Sequence, residues 1–380
     1  MATTQDEKVD AKVRKGLAGT SFEPSSLQRL SGGLVNWGYQ AALLVPLDDG
    51  TSEVFLKHGE TFLAKIPDFE VGLLRCRMEA QALRHLTEFP FAGQTDHADS
   101  HRFIVLTPKL LYFDEANTTQ IHGYIPNSTT LQAYILQHYS APTNKSQEIE
   151  CRQMGKAIGR WMNEFVKYTA SQPEIKQCAV DNRDAQPIRH QFSYGWLHDR
   201  IEEYPRILSE TKEILEHVLR MATEELEDES RLQVVHGDLA PANIVLSDRP
   251  LEEHRETRIF VVDWEVIHMG GRHFDFGQMA VELYLLWLRK GITAGLWILE
   301  GLITAFHGLD EDLAFRVAIH MGSYLICMAP LTPEWGTPEQ IEDLVRAGRD
   351  ILFHAWNKDG VWFGNSELAC LFTCVPSSKQ

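Results

Sequence analysis

The stretch "VVHGDLAPANIVL", residues 234–246, sets His236, Asp238 and Asn243 between two runs of β-branched and aliphatic residues. Apolar runs on either side of Gly237 and Pro241 predict a short strand, a tight loop and a second strand. The three polar side chains would then stand on a loop with rigid flanks, the usual setting for reactive groups. A plain solvated turn is the competing reading, because Asp and Asn favour turns through hydrogen bonds to the local backbone.

The next segment weighs against the plain turn. After the charged stretch "DRPLEEHRETR", the run "IFVVDWEV" predicts a buried strand ending in Asp263, with Glu265 two residues on and on the same face. Two neighbouring strands would bring Asp238, Asn243 and Asp263 to one end of a small sheet. The spacing H-x-D-x-x-x-x-N followed by a strand-terminal Asp suits phosphoryl transfer from ATP. One carboxylate, Asp238, orients or accepts the proton of an attacking hydroxyl, while an amide oxygen and a second carboxylate hold magnesium against the phosphates. Mg2+ is a hard ion that takes one or two protein oxygens and completes its shell with phosphates and water, which suits Asn243 and Asp263.

Phosphoryl transfer also needs a nucleotide site, and its parts lie upstream in the expected order. "LQRLSGGLVNWGYQAALLV" (27–45) predicts a glycine turn between strands, at Ser31, Gly32 and Gly33, able to expose backbone N–H groups to phosphate. It is neither a Walker A loop nor a G-x-G-x-x-G opening a helix, and alone it reads as a hairpin turn. "SEVFLKHG" predicts a strand carrying Lys57, and "FEVGLLRCRMEAQALRHL" an amphipathic helix carrying Glu79. Such a lysine and glutamate form the ion pair that positions ATP phosphates in kinases. Taken singly, each residue reads as a solvated surface charge; in series with residues 236–263 they read as a kinase set.

The segments "LSGGLVN", "VFLKHG", "RMEAQAL", "HGDLAPANI" and "VVDWE" resemble the kinase-like small-molecule phosphotransferases, which include aminoglycoside phosphotransferases, choline kinases and methylthioribose kinases. "LSGG" with "LKH" is similar to the methylthioribose kinase branch and to fungal hydroxytryptamine kinases. The resemblance covers roughly residues 27–290. It implies an α+β, protein-kinase-like bilobal fold, with a small β-rich N-lobe and a large, mainly helical C-lobe. It also implies ATP and Mg2+ as cofactors and a small-molecule hydroxyl as acceptor. Ser31, Gly32, Gly33 and Asn36, together with Lys57 and Glu79, would face the nucleotide. The linker backbone at Gly123, Tyr124 and Ile125 would meet the adenine, with His122 either flanking it or satisfied in the core. On this reading residues 1–24 are an extension or helix, 25–122 the N-lobe and 123–380 the C-lobe with catalytic loop and acceptor pocket. The acceptor itself is not specified, since the matching motifs sit in the nucleotide half.

Composition narrows the partners. A net charge of −17 disfavours nucleic acid, whose phosphates call for a basic surface, and weakly favours an amine-bearing acceptor. Much of that charge lies in runs such as "TEELEDES" (223–230), which read as solvated helix faces. No run approaches the roughly 20 apolar residues of a membrane span, and the polar start lacks the apolar core of a signal peptide. The six cysteines form no C-x-x-C pair, and Cys370 with Cys374 reads as two packed thiols, so a cytoplasmic setting with reduced thiols is expected.

Further elements complete the expectation. "FIVLTPKLLYFD" (103–114) predicts a strand, and residues 202–230 a long helix after Pro205. "GGRHFDFGQMAVELYLLWL" predicts a helix with Asp275 near its start, where it would anchor the catalytic loop. The C-terminal third predicts amphipathic helices, with Trp264, Tyr324 and Trp335 either pocket aromatics or core. No D-F-G to A-P-E activation segment is present, which disfavours a protein substrate. The alternative function is a catalytically degenerate, kinase-like nucleotide-binding module.

Overall fold

Alternation builds the first sheet. Along Trp37–Leu43 every second residue is buried, and Val54, Leu56 and His58 continue the pattern on the next strand. The computed structural model describes residues 4–87, 89, 99–140 and 144–373. The chain divides into two units, Met1–Phe89 with Thr107–Ser128, and Pro90–Leu106 with Thr129–Gln380.

The elements run α1 (Thr4–Leu17), β1 (Pro24–Arg29), β2 (Trp37–Leu43), β3 (Glu53–His58), α2 (Leu74–Leu86), β4 (Arg102–Leu106), β5 (Leu110–Asp114) and β6 (Thr119–Gly123). In the first unit an antiparallel sheet has the order β1-β2-β3-β6-β5. Helix α1 sends Val9, Val13 and Leu17, four residues apart and so on one helical face, into the layer made by Trp37, Tyr39, Ala41, Val54, Leu56 and Ile121. Burial of each such side chain contributes about 1.5–3 kcal/mol. Polar contacts fix the helix in place: Tyr39 donates to Asp10 at 2.7 Å, and Asp6 pairs with Arg29 and accepts from the Trp37 indole. Lys57 and Phe55 alternate with Val54 and Leu56, so they project from the opposite face of the sheet.

The second unit adds β7 (Ser128–Thr130), α3 (Leu131–His138), α4 (Lys145–Ala170), α5 (Pro173–Asp181), α6 (Ala185–His190), α7 (Leu197–Glu203), α8 (Pro205–Leu208) and α9 (Lys212–Glu227). These are followed by β8 (Leu232–Val235), β9 (Ile244–Ser247), β10 (Glu256–Val261), β11 (His268–Gly271), α10 (Phe274–Lys290), α11 (Ala294–Ala305), α12 (Glu311–Met328) and α13 (Pro338–Trp356). One small sheet has the order β4-β10-β9-β7 and a ribbon pairs β8 with β11. Capping boxes start α4, at Asn144 and Gln147, and α13, at Thr337 and Gln340.

Four sequence expectations are corrected here. The run 103–114 is two strands in different sheets: β4 pairs in parallel with β10, whereas β5 pairs with β6. Pro108 between them lacks an N–H and cannot continue the ladder. The long helix after Pro205 is broken into α8, a 3-10 turn at Ser209–Thr211 and α9; the Thr211 hydroxyl donates to the Leu208 carbonyl at 3.1 Å, a local bond that competes with the regular helix. The strand before Asp263 ends at Val261, and Trp264–Val266 is a 3-10 turn, so it is this turn and not strand alternation that brings a Glu265 carboxylate oxygen within 4.8 Å of one of Asp263. Finally, Glu311–Leu331 is long and apolar enough to cross a membrane by length and composition, but 78% of its apolar window is buried in the protein, as in a core helix. Cys374 lies outside the described residues.

Candidate active site

In the first unit, the β3–α2 arrangement makes a buried ion pair. Lys57 Nζ lies 2.8 and 2.7 Å from the two carboxylate oxygens of Glu79, and the pair is only 13% and 2% exposed. A buried carboxylate needs further partners, and Gln120 supplies one by donating to Glu79 at 2.9 Å while bonding the Cys76 carbonyl. The glycine turn follows Ser31: Gly32 and Gly33 have φ of 135° and 63°, backbone that L side chains rarely adopt, so the turn demands glycine. Ser31, Gly32 and Gly33 are exposed, whereas the Asn36 amide oxygen accepts from Arg75 at 2.8 Å.

Gly123 ends β6, its N–H bonded to the Lys109 carbonyl, and Tyr124 and Ile125 follow half-buried. His122 is 4% exposed, yet neither ring nitrogen has a hydrogen-bond partner among the described residues. Burial, with Lys57 adding to it, pushes its pKa down to about 3, so the ring is neutral. The expectation of a satisfied core histidine is therefore not met.

In the second unit, the loop between β8 and β9 is held from three sides. Asp275, at the start of α10, accepts the backbone N–H groups of His236 at 2.7 Å and Gly237 at 2.9 Å. Burial raises its pKa while those N–H groups and His236 oppose the rise. Gly237 has φ of 84°, and a Cβ there would collide with the Val266 carbonyl, so only glycine fits the turn. His236 is fully buried against Trp264. Its Nδ1 accepts from the Asp238 N–H at 3.2 Å, so its Nε2, 3.0 Å from the Val262 carbonyl, carries the proton. The Val262 N–H in turn donates to the Asn243 carbonyl at 2.9 Å. His236 thus ties the Asp238 loop to the residue before Asp263. Asp263 itself is left-handed, φ 69° and ψ 62°, a conformation costly for a residue with a side chain and typical of functional sites.

The Asp238 carboxylate is 33% exposed, and both its oxygens are engaged from below. Gln278 donates to Oδ1 at 2.6 Å, Arg189 stands 3.2 Å from the same oxygen, and Asn243 donates to Oδ2 at 2.8 Å. Arg189 also donates to Gln278 Oε1 at 2.5 Å. Asn243 spends its amide nitrogen on Asp238, on the backbone carbonyl as well as the side chain, which leaves its amide oxygen without a protein donor among the described residues. Hard oxygen donors, an amide and a carboxylate, are the donor chemistry that Mg2+ takes.

The structure therefore brings Asp238 and Asn243 into direct contact and ties to their loop Val262, the residue before Asp263, through its N–H and its carbonyl. Arg189 and Gln278 were not foreseen. Gln278 lies three residues past Asp275 and so on the same helical face, a usable signal once Asp275 was read as an anchor. Arg189, 49 residues before Asp238, carries no local signal. Trp264 is fully buried against Trp161, Phe165 and His236, so it is core and not a pocket aromatic.

A phosphotransferase enzyme family model, APH, matches residues 44–292, more than half of the chain. The chain therefore belongs to this family, and it is a small-molecule kinase. It is 27% identical over 374 residues to the phosphotransferase FrzJ of a Cladobotryum species, covering 94% of this chain and 95% of that protein. It is 24% identical over 369 residues to the 4-hydroxytryptamine kinase of Psilocybe cyanescens, covering 92% and 94%. Among solved structures it is similar to an ethanolamine kinase of Plasmodium vivax, at 13% identity and a TM-score of 0.49, covering 93% and 90%.

Proposed function

We propose that the protein transfers the γ-phosphoryl group of ATP, with Mg2+, to a hydroxyl of a small metabolite. The observation that carries this reading is the carboxylate of Asp238, fixed at both oxygens by Gln278 and Asn243 while a third of it remains open. A carboxylate so held can accept a hydrogen bond from an incoming hydroxyl without reorganising, and take its proton as the bond to phosphorus forms. Asn243, through its amide oxygen, and Asp263 are the residues to hold magnesium, which when bound neutralises charge on the phosphates.

On this reading Lys57, braced by Glu79, contacts the α- and β-phosphates, and the backbone of Ser31, Gly32 and Gly33 lies against the phosphate chain. The unpartnered nitrogens of His122, next to Gly123, Tyr124 and Ile125, support placing the nucleobase there. Asn36 acts at one remove, by fixing Arg75. The 4-hydroxytryptamine kinase among the relatives supports a hydroxylated small molecule as acceptor. A cytoplasmic location belongs to the same proposal, in keeping with the buried free thiols of Cys151 and Cys327.

The test is ATP consumption over a panel of sugars, amino alcohols, hydroxyindoles and aminoglycosides, with the product identified by mass. Gain of one phosphate by one class of acceptor is expected; turnover confined to a peptide or protein acceptor contradicts the reading.

A further inference from the structure

Helix α2 carries a second grip besides Glu79. Arg75 stands one helical turn earlier and on the same face. Its Nη1 donates to the Asn36 side-chain oxygen at 2.8 Å and its Nη2 to the Glu60 carbonyl at 3.0 Å. Asn36 ends the loop that begins with Ser31, Gly32 and Gly33, and Glu60 begins the stretch that joins β3 to α2. A guanidinium offers its donors in a rigid planar fork, so one that spans two acceptors fixes the offset between them.

The two acceptors differ in how firmly they are rooted. Glu60 is fixed, its carboxylate 2.6 Å from Lys12 Nζ of α1 and 3.0 Å from the Nε2 of the buried His58. Beyond it the chain folds back into a flap, with the Leu63 N–H donating to the Phe69 carbonyl at 3.0 Å and the Val71 N–H to the Thr61 carbonyl at 2.8 Å. The flap pairs with the glycine loop, where Ala64 and Lys65 donate to the Val35 and Leu34 carbonyls, each at 3.1 Å. That support is soft, because residues 65–70 of the flap are exposed, as are Ser31 to Leu34. Two adjacent glycines give a turn much backbone freedom, so its order has to come from outside it. Arg75 supplies it by joining Asn36 to the rooted Glu60 and to α2. The two contacts proposed for the phosphate chain are then both set from one helix, Lys57 through Glu79 and the glycine turn through Arg75.

Resting on the placement of the phosphate chain proposed above, we propose that Arg75 is a positioning residue that holds the Ser31–Gly33 turn at a fixed offset from Lys57, so that ATP meets a turn already ordered. Arg75 acts through Asn36. Its loss should therefore be felt by ligands that carry phosphates and not by the nucleoside.

Calorimetric titration with ATP and with adenosine, both with Mg2+, tests this beside steady-state turnover. Arg75→Met should weaken ATP about 10-fold and leave adenosine unchanged, with the loss in turnover falling on KM for ATP rather than on kcat. Arg75→Lys brings one donor group instead of a fork and should restore part of the ATP affinity. Asn36→Ala should reproduce the loss, and it carries the test if Arg75→Met does not fold. The double variant should be little worse than either single one, since both break the same link. Equal losses for ATP and adenosine, which a general loosening of this unit would give, overturn the proposal, as do additive losses in the double variant. Wild-type protein that binds and uses ATP while the folded variants match it overturns this proposal alone; wild-type protein that binds no ATP removes the phosphoryl-transfer reading and this proposal with it.

Discussion

The Lys57–Glu79 pair of the first unit and the Asp238 cluster of the second both hold charge away from water, but they do so in different ways. Lys57 and Glu79 stand on a regular strand and a regular helix and neutralise each other at close range, with Gln120 also donating to Glu79. Asp238 stands on an irregular loop and is braced by Asn243 from its own loop, by Gln278 from α10 and by Arg189 from α6. The first arrangement couples charge to fold stability, because removing either partner strands the other in a buried place. The second spreads the task, so that one brace can go while the carboxylate stays roughly placed. Each region should therefore fail in its own way when a single residue is changed.

The largest expected effect is at the open carboxylate. Asp238→Ala should lower kcat by about 10²- to 10⁴-fold with little change in melting temperature, since the group is partly exposed and general-base contributions are of that order. Steady-state kinetics beside a thermal melt checks it; a large loss of stability with residual catalysis intact would place Asp238 in the structure rather than the chemistry. Lys57→Met should behave in the opposite sense. It removes the cation beside the buried Glu79 and should cost about 3 kcal/mol in urea unfolding, besides raising KM for ATP. An unchanged unfolding midpoint would remove the distinction drawn between the two regions.

Asp275→Asn comes next. A carboxamide can accept the two N–H groups of the loop at one oxygen only, so stability should fall by about 1–3 kcal/mol and kcat should fall with it, while KM for ATP holds. Hydrogen exchange at the His236 and Gly237 amides reports the loosening directly. The smallest effect is the removal of one brace. Gln278→Ala should reduce kcat by about tenfold, the cost of a single positioning hydrogen bond, because Arg189 and Asn243 remain.

The pH dependence of stability offers a further separation. Burial lets the folded protein hold a proton on Glu282 of α10 up to about pH 7, whereas an unfolded glutamate releases it near ~4.3. The folded state thus binds the proton more tightly, and this group's contribution to stability falls as pH rises through that window. Glu282→Gln should accordingly melt higher than wild type at pH 8, with the difference closing towards pH 5. A gap that widens at pH 5 contradicts an account in which burial holds that proton.

Much of the second unit's site could be read in the sequence because its polar residues interrupt strands: His236, Asp238 and Asn243 stand out between "VV" and "IVL". The tie between them is backbone geometry and could not be read, since it depends on the left-handed Asp263 and on the strand ending two residues early at Val261. Arg189 and Gln278 escaped for a different reason. Each sits on a helix whose pattern predicts burial or exposure but not which distant loop it meets. In the first unit Lys57 and Glu79 were legible as a spaced pair, whereas the division of residues 103–114 between two sheets was not. Only Pro108 hinted at it, and a proline marks a break without saying where the chain goes next.

The loop holding Asp238 and Asn243, with Asp263 beyond it, is proposed to transfer a phosphoryl group to a small hydroxyl with magnesium. Its most direct test is product formation by wild type and Asp263→Ala on an accepted hydroxyl compound, followed by mass at saturating ATP across a magnesium titration. A magnesium-dependent gain of one phosphate by wild type is expected, with at least a ~10³-fold loss in a variant that melts normally. Near wild-type turnover by folded Asp263→Ala, or transfer by the wild-type protein with magnesium chelated, would contradict it.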